Sequence, residues 1–78
     1  MTTQRIVCDP KVLGGKPVVA GTRVTVELIL EKLGAGETTE NIVEAHPNVT
    51  SQGIQAALAY AARTMKSDRF YPVDALDA

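Results

Sequence analysis

The sequence predicts a mainly α fold, in which a short N-terminal β element precedes a three-helix, homeodomain-like helix-turn-helix unit. Three observations carry that prediction. Short β-branched runs separated by turn residues fill the first 24 residues. Apolar spacing then changes to i, i+3, i+4, i+7 from Val26, and a break at Pro47 separates two segments that each begin with a capping threonine.

Ile6-Val7-Cys8 and Pro17-Val18-Val19-Ala20 read as two strands, with Asp9-Pro10 and Gly14-Gly15 as the punctuation between them. Pro17 has no N–H to donate, so the second strand begins there or lies at an edge, and an open edge invites pairing with a second copy. Gly21-Thr22-Arg23 turns the chain into the first helix, capped by Thr25 and carrying Val26, Ile29, Leu30 and Leu33 as its apolar face, with Glu27 at the positive end of its dipole. Gly34-Ala35-Gly36 ends this helix through a left-handed glycine.

A second helix begins at Thr38 or Thr39, buries Ile42 and Val43, and stops before Pro47, because the residue preceding a proline is driven out of the α region. Thr50 caps the third helix, and Val49 and Ile54 form a hydrophobic staple across its start. Ile54, Ala57, Leu58, Ala61 and Met65 form its expected buried stripe, and Ala56, Ala59 and Ala62 its other side, where alanine permits close approach. Lys66-Ser67-Asp68 closes the pattern. One domain therefore covers residues 1–67, with its β element in residues 1–24, and residues 68–78 form a short C-terminal tail.

A chain of 78 residues with Tyr60, Phe70 and Tyr71 as its aromatics has a small aliphatic core. Cores of this size commonly lean on a partner, so a homodimer or higher oligomer is expected. The single Cys8 forms no internal bridge, the polar opening Met1-Thr2-Thr3-Gln4-Arg5 has no signal-peptide pattern, and no apolar run approaches a membrane span. A cytoplasmic protein with no membrane association is expected. Its net charge of −1 joins two unlike parts: residues 1–26 carry +3 from Arg5, Lys11, Lys16 and Arg23 against Asp9, and residues 27–78 carry −4. A polyanion would meet the first part and the cluster around Arg63.

Leu13-Gly14-Gly15-Lys16 fails as a phosphate loop, since Pro10 and Pro17 occupy the positions that require glycine and Ser/Thr. Cys8, Asp9 and His46 show no metal-ligand spacing, and no acid and base pair can be named, so no metal, no cofactor and no enzymatic activity are expected. His46 reads as a helix-end residue near the last carbonyls. Arg23 is expected to bridge Glu27, or to reach phosphate, because its planar fork favours a fixed carboxylate.

The second helix, the Pro47-Asn48-Val49 turn and the capped third helix match a helix-turn-helix arrangement. In its DNA-binding form the N-terminal residues of the last helix touch base edges. Here these are Ser51, Gln52 and Gln55, with Lys16, Arg23 and Arg63 as the expected phosphate-binding cations on double-stranded DNA. Glu40 and Glu44 oppose that reading, and a dimerisation or interaction module that binds protein only is the alternative.

The order Gly14-Gly15-Lys16-Pro17, Gly21-Thr22-Arg23, then Pro47 and Ile54-Gln55-Ala56-Ala57-Leu58-Ala59-Tyr60-Ala61 resembles the domain-of-unknown-function family 433 from about Arg5 to Ala62. His46 departs from the tyrosine more usual before that proline. The resemblance implies a β element, a tri-helical helix-turn-helix domain, dimerisation, and likeness to VapB-type antitoxins that repress their own operon and neutralise a PIN-like ribonuclease toxin. The tail residues Phe70 and Tyr71, beyond the matched segment, are expected to order on such a partner as aromatic anchors.

Overall fold

The computed structural model describes residues 4–67 and orders them as β1 (Ile6–Cys8), a single 3₁₀ turn (Leu13–Gly15), β2 (Pro17–Val19), α1 (Val26–Gly34), α2 (Thr39–Ala45) and α3 (Ser51–Ser67). The protein is mostly helical, with three helices and a two-stranded antiparallel sheet at its N-terminal end. Phe70 and Tyr71 lie outside the described residues.

The sheet pairs Ile6 with Val19, Val7 with Val18 and Cys8 with Pro17. The Ala20 amide donates to the Arg5 carbonyl at 2.7 Å, so Val18 and Ala20 turn their polar groups toward β1 and Pro17 turns away from it. The missing proline N–H therefore removes no bond from the ladder. The far edge of β2, which the sequence suggested would be open, is closed. Val19 donates to the Val24 carbonyl at 2.9 Å and Val18 bridges Thr25, because the Gly21-Thr22 turn folds the following residues back along β2. The Thr22 hydroxyl builds that turn, donating to the Val19 carbonyl at 2.8 Å and accepting from the Val24 amide at 3.0 Å. Leu13, Gly14 and Gly15 have φ of 50°, 68° and 88°, a left-handed run in which two glycines relieve the strain that side chains would bring.

Each helix starts on the threonine expected of it. Thr25, Thr38 and Thr50 accept through Oγ1 from the amides of Leu28, Asn41 and Gly53 at 3.0 to 3.1 Å. α1 ends in a Schellman arrangement, with Gly36 donating to Leu33, Glu37 donating to Lys32, and Gly36 at φ 95°. An ion pair between Lys32 and Glu37 at 3.5 Å spans the ends of this motif, where an apolar contact is common.

Val19, Val26, Ile29, Ile42, Val49, Ile54 and Ala57 form the buried core, and Ile6, Val24, Leu33, Val43, Tyr60 and Ala61 pack around it. It is aliphatic, as the composition requires, and each fully buried isoleucine stabilises it by about 1.5–3 kcal/mol. Val49 and Ile54 both enter this core, which completes the staple. Three expected core positions are not buried: Leu30, Leu58 and Met65 are 37%, 45% and 57% exposed. α3 turns Ile54, Ala57 and Ala61 inward instead, and Leu58 and Met65 lie to one side of that stripe.

The Gln4 carboxamide joins the sheet to α3. Its Nε2 donates to the carbonyls of Asn48 at 2.8 Å and Ala20 at 3.3 Å, and its Oε1 accepts from the Thr50 amide at 2.8 Å and the Thr50 hydroxyl at 3.0 Å. Both donors and both lone pairs of the amide are used. In a capping box the residue three after the cap returns a side-chain oxygen to the cap's own amide. Here that position is Gly53, and Gln4 supplies the oxygen from the other end of the chain. A Cβ at Gly53 would overlap Gln4 Oε1 and come within 3.0 Å of Val19 Cγ1.

Replacing Gln4 by alanine is expected to lower unfolding free energy by about 1–3 kcal/mol. Gly53→Ala is expected to destabilise the wild type despite a helix-propensity gain of about 1 kcal/mol. In a Gln4→Ala background the same change should cost clearly less, and urea unfolding of all four proteins reads that coupling.

Candidate nucleic-acid interface

α2 hands the chain to α3 through a turn that the backbone closes on itself. His46, half-buried, is the C-cap of α2 and donates its amide to Ile42 at 2.9 Å, and the Val49 amide donates to the His46 carbonyl at the same distance. Val49 is buried directly before Thr50, so the direction in which α3 leaves the turn is set by the core on one side and by Gln4 on the other.

At the start of α3, Thr50 is bound through its amide to Gln4, and Gly53 through its amide to the Thr50 hydroxyl. The amides of Ser51 and Gln52 have no partner among the described residues. Such groups, at the positive end of a helix dipole, suit an anionic oxygen. Ser51 and Gln55 are exposed and one helical turn apart, and Gln52 is half-buried.

The flanks of this helix end differ in charge. On the α2 side, a groove of about 490 Å³ is lined by Glu40, Glu44, Thr50 and Ser51, which places two carboxylates beside the candidate reading residues. On the sheet side, a cleft of about 600 Å³ is lined by Arg23, Asn48, Thr22 and Asp9, and Arg23 is exposed there. A polyanion approaching Ser51 is thus repelled from α2, while on the sheet side Asp9 offsets the attraction of Arg23.

The remaining expected cations are not at this end. Lys16, not Arg23, pairs with Glu27, at 3.3 Å with both side chains well exposed. The reason is position: Lys16 precedes β2 beside the first turn of α1, whereas Arg23 is directed into the cleft with Asn48. Lys16 thus stands at the end of β2 opposite the Ala20–Gln4 contact that abuts α3. Arg63 is exposed on α3, about 18 Å along the axis from Ser51. Ser51, Gln52 and Gln55 share the first turns of α3, Arg23 reaches only Asn48 of the turn before them, and Lys16 and Arg63 lie elsewhere. Asp9 Oδ1 accepts from the Lys11 amide at 2.9 Å, and Cys8 Sγ lies 4.0 Å from the Tyr60 hydroxyl. Among the described residues no cluster of three His, Cys, Asp or Glu side chains is placed to hold a metal ion, and no helix is long and apolar enough to cross a membrane.

Gln4 and Gly53 carry no local sequence signal for their role. The one hint is negative: a well-capped helix with glycine at the third position lacks the return half of its capping box.

The sequence profile of the family described as "Protein of unknown function (DUF433)" matches residues 6–61. Among curated proteins, the chain is 39% identical over 56 residues to "Uncharacterized protein y4eO" of Sinorhizobium fredii (strain NBRC 101917 / NGR234). That match covers 72% of this chain and 25% of the relative, so the chain spans about a quarter of the relative's length. No solved structure matches significantly.

Thr50→Ala is expected to cost about 1–2 kcal/mol and to speed amide exchange at Gly53. Lys16→Ala, which breaks only an exposed pair, should leave thermal stability within about 0.5 kcal/mol of wild type.

Proposed function

The chain belongs to the DUF433 family, and from that membership and the geometry of its last two helices we propose that it is an antitoxin-like regulator. In this reading it binds operator DNA as a dimer through a helix-turn-helix formed by α2 and α3, and it neutralises a PIN-like ribonuclease toxin. The observation that carries the DNA half is the start of α3. A short turn leads to a helix end held from both sides, with Ser51 and Gln55 exposed and two backbone amides that have no partner among the described residues. Glutamine pairs bidentately with adenine and serine serves base or phosphate, while Arg23, beside Asn48 of the preceding turn, is the candidate phosphate contact. Support for the toxin half comes from the family resemblance, whose members resemble VapB-type antitoxins. The tail with Phe70 and Tyr71 is the candidate segment for toxin contact.

Glu40 and Glu44 favour a second reading, a dimerisation or interaction module that binds protein without DNA. Fluorescence anisotropy separates the two. With DNA from upstream of the chain's own gene, the regulator reading expects binding well above that to random DNA and falling with salt. Changing Gln52 and Gln55 together to alanine should then weaken operator binding on the order of ten- to hundredfold. Equal affinity for operator and random DNA, unaltered by the double change, would establish the protein-only reading. Purification from the native host tests the toxin half, which requires a stoichiometric ribonuclease partner.

A further inference from the structure

Neighbouring residues of β2 serve opposite faces of the sheet: Val19 enters the core, whereas Val18, only 2% exposed, is buried outside it. Val7 of β1 lies opposite Val18, and the loop after β1 turns back through a bond from the Val12 amide to the Asp9 carbonyl, which brings Val12 to the same side. These three valines floor the sheet-side cleft of about 600 Å³, a size usual for ligand sites. The cleft is therefore a second apolar surface, apart from the core.

Its polar groups stand at two ends. Asp9 continues β1 two residues past Val7, and its Oδ1 accepts from the Lys11 amide, while Oδ2 has no partner among the described residues. At the other end, past Ala20, the Arg23 guanidinium and the Asn48 carboxamide make no hydrogen bond or ion pair among the described residues. With two residues of strand on each side of the Val7 and Val18 pair, the ends lie roughly 13 Å apart at about 3.3 Å per residue.

We propose that this cleft binds the carboxyl-terminal end of an extended peptide that carries a positive charge three residues before its last. Arg23 and Asn48 donate to the terminal carboxylate, for which a guanidinium fork is suited, aliphatic side chains of the peptide cover the valines, and its cation meets Asp9. Four extended residues span about 13 Å, which matches the separation of the two ends. A free amino acid carries both backbone charges on one carbon and satisfies one end only. Nucleic acid offers a phosphate to Arg23, but it brings no cation to Asp9 and no aliphatic chain to the valines. The site requires neither the DNA binding nor the dimer of the proposed function, and it shares Arg23 with the former.

Proton-nitrogen correlation spectra of the isotope-labelled chain test this with the peptide acetyl-Lys-Val-Ala-Val bearing a free carboxyl end. Saturable shifts are expected at the amides of Val7, Val12 and Val18. Amidating the peptide's end should weaken binding about tenfold or more, and Arg23→Gln should leave acid and amide binding alike. Asp9→Asn keeps an acceptor for the Lys11 amide and should abolish the preference for the lysine peptide over acetyl-Ala-Val-Ala-Val. Unblocked Ala-Val-Ala-Val, whose ammonium stands at the same distance from the carboxylate, separates two sources of this chemistry. Tighter binding of the lysine peptide upholds the site with a protein's carboxyl terminus as its source, and tighter binding of the unblocked peptide upholds it with a free peptide. The absence of saturable shifts at millimolar peptide, equal wild-type binding of acid and amide, or shifts confined to the groove between α1 and α3 overturns the proposal. Operator DNA that shifts these amides where the peptide does not assigns the cleft to phosphate and overturns it as well.

Discussion

One side-chain amide determines how the two halves of this protein meet. The sheet and α3 share apolar contacts through Val19, Ile54 and Ala57, and such contacts are non-directional, so alone they leave the sliding and rotation of the helix weakly specified. The four hydrogen bonds of Gln4 remove that freedom, because they join the Ala20 end of β2, the carbonyl of Asn48 and both polar groups of Thr50 at a single point. The glycine at position 53 follows from this contact, since the amide occupies the space that a side chain there would need.

From that anchor the remaining geometry follows in steps. Holding Thr50 fixes where α3 begins, and the buried Val49 and Ile54 fix its tilt. With α3 placed, α2 must lie so that Ile42 reaches the same core, which brings Glu40 and Glu44 to one side of Ser51. The fold back of Val24 along β2 carries Arg23 to the other side, beside Asn48. The carboxylates beside the start of α3 are thus consequences of how the core closes, and they disfavour an anionic ligand that approaches from α2.

The parts of this fold legible in the sequence are those decided by neighbours along the chain. Threonine caps, the glycine at the end of α1, the staple across Pro47 to Ile54 and the left-handed Gly14-Gly15 turn all depend on residues a few positions apart. The misread parts depend on distance in sequence. From its place just before α1, Arg23 is the expected partner of Glu27, but the turn at Thr22 sends it to the cleft with Asn48 and Lys16 takes the pair. β2 has an edge that looks open in sequence, and a later segment closes it. The buried face of α3 was ambiguous for a different reason: with alanine at positions 56, 57, 59, 61 and 62, adjoining stripes are nearly equally apolar, and only the packing of Ile54 and Ala57 against Val19 and Ile42 selects one. Ser51, Gln52 and Gln55 are identifiable as a helix start, but the carboxylates of Glu40 and Glu44 become neighbours of Ser51 only in three dimensions.

The link between Gln4 and Thr50 also has a consequence for synthesis. The residue that finishes the cap of α3 leaves the ribosome first, and its partner follows 46 positions later, about 2–9 s at usual elongation rates. During that interval the β hairpin and α1 can form from local contacts, and Gln4 can reach the Ala20 carbonyl, but its bonds to Asn48 and Thr50 must wait. The end of the chain that carries the candidate interface therefore acquires its final orientation only after the rest has emerged, and a fusion placed ahead of Gln4 would act on that late step.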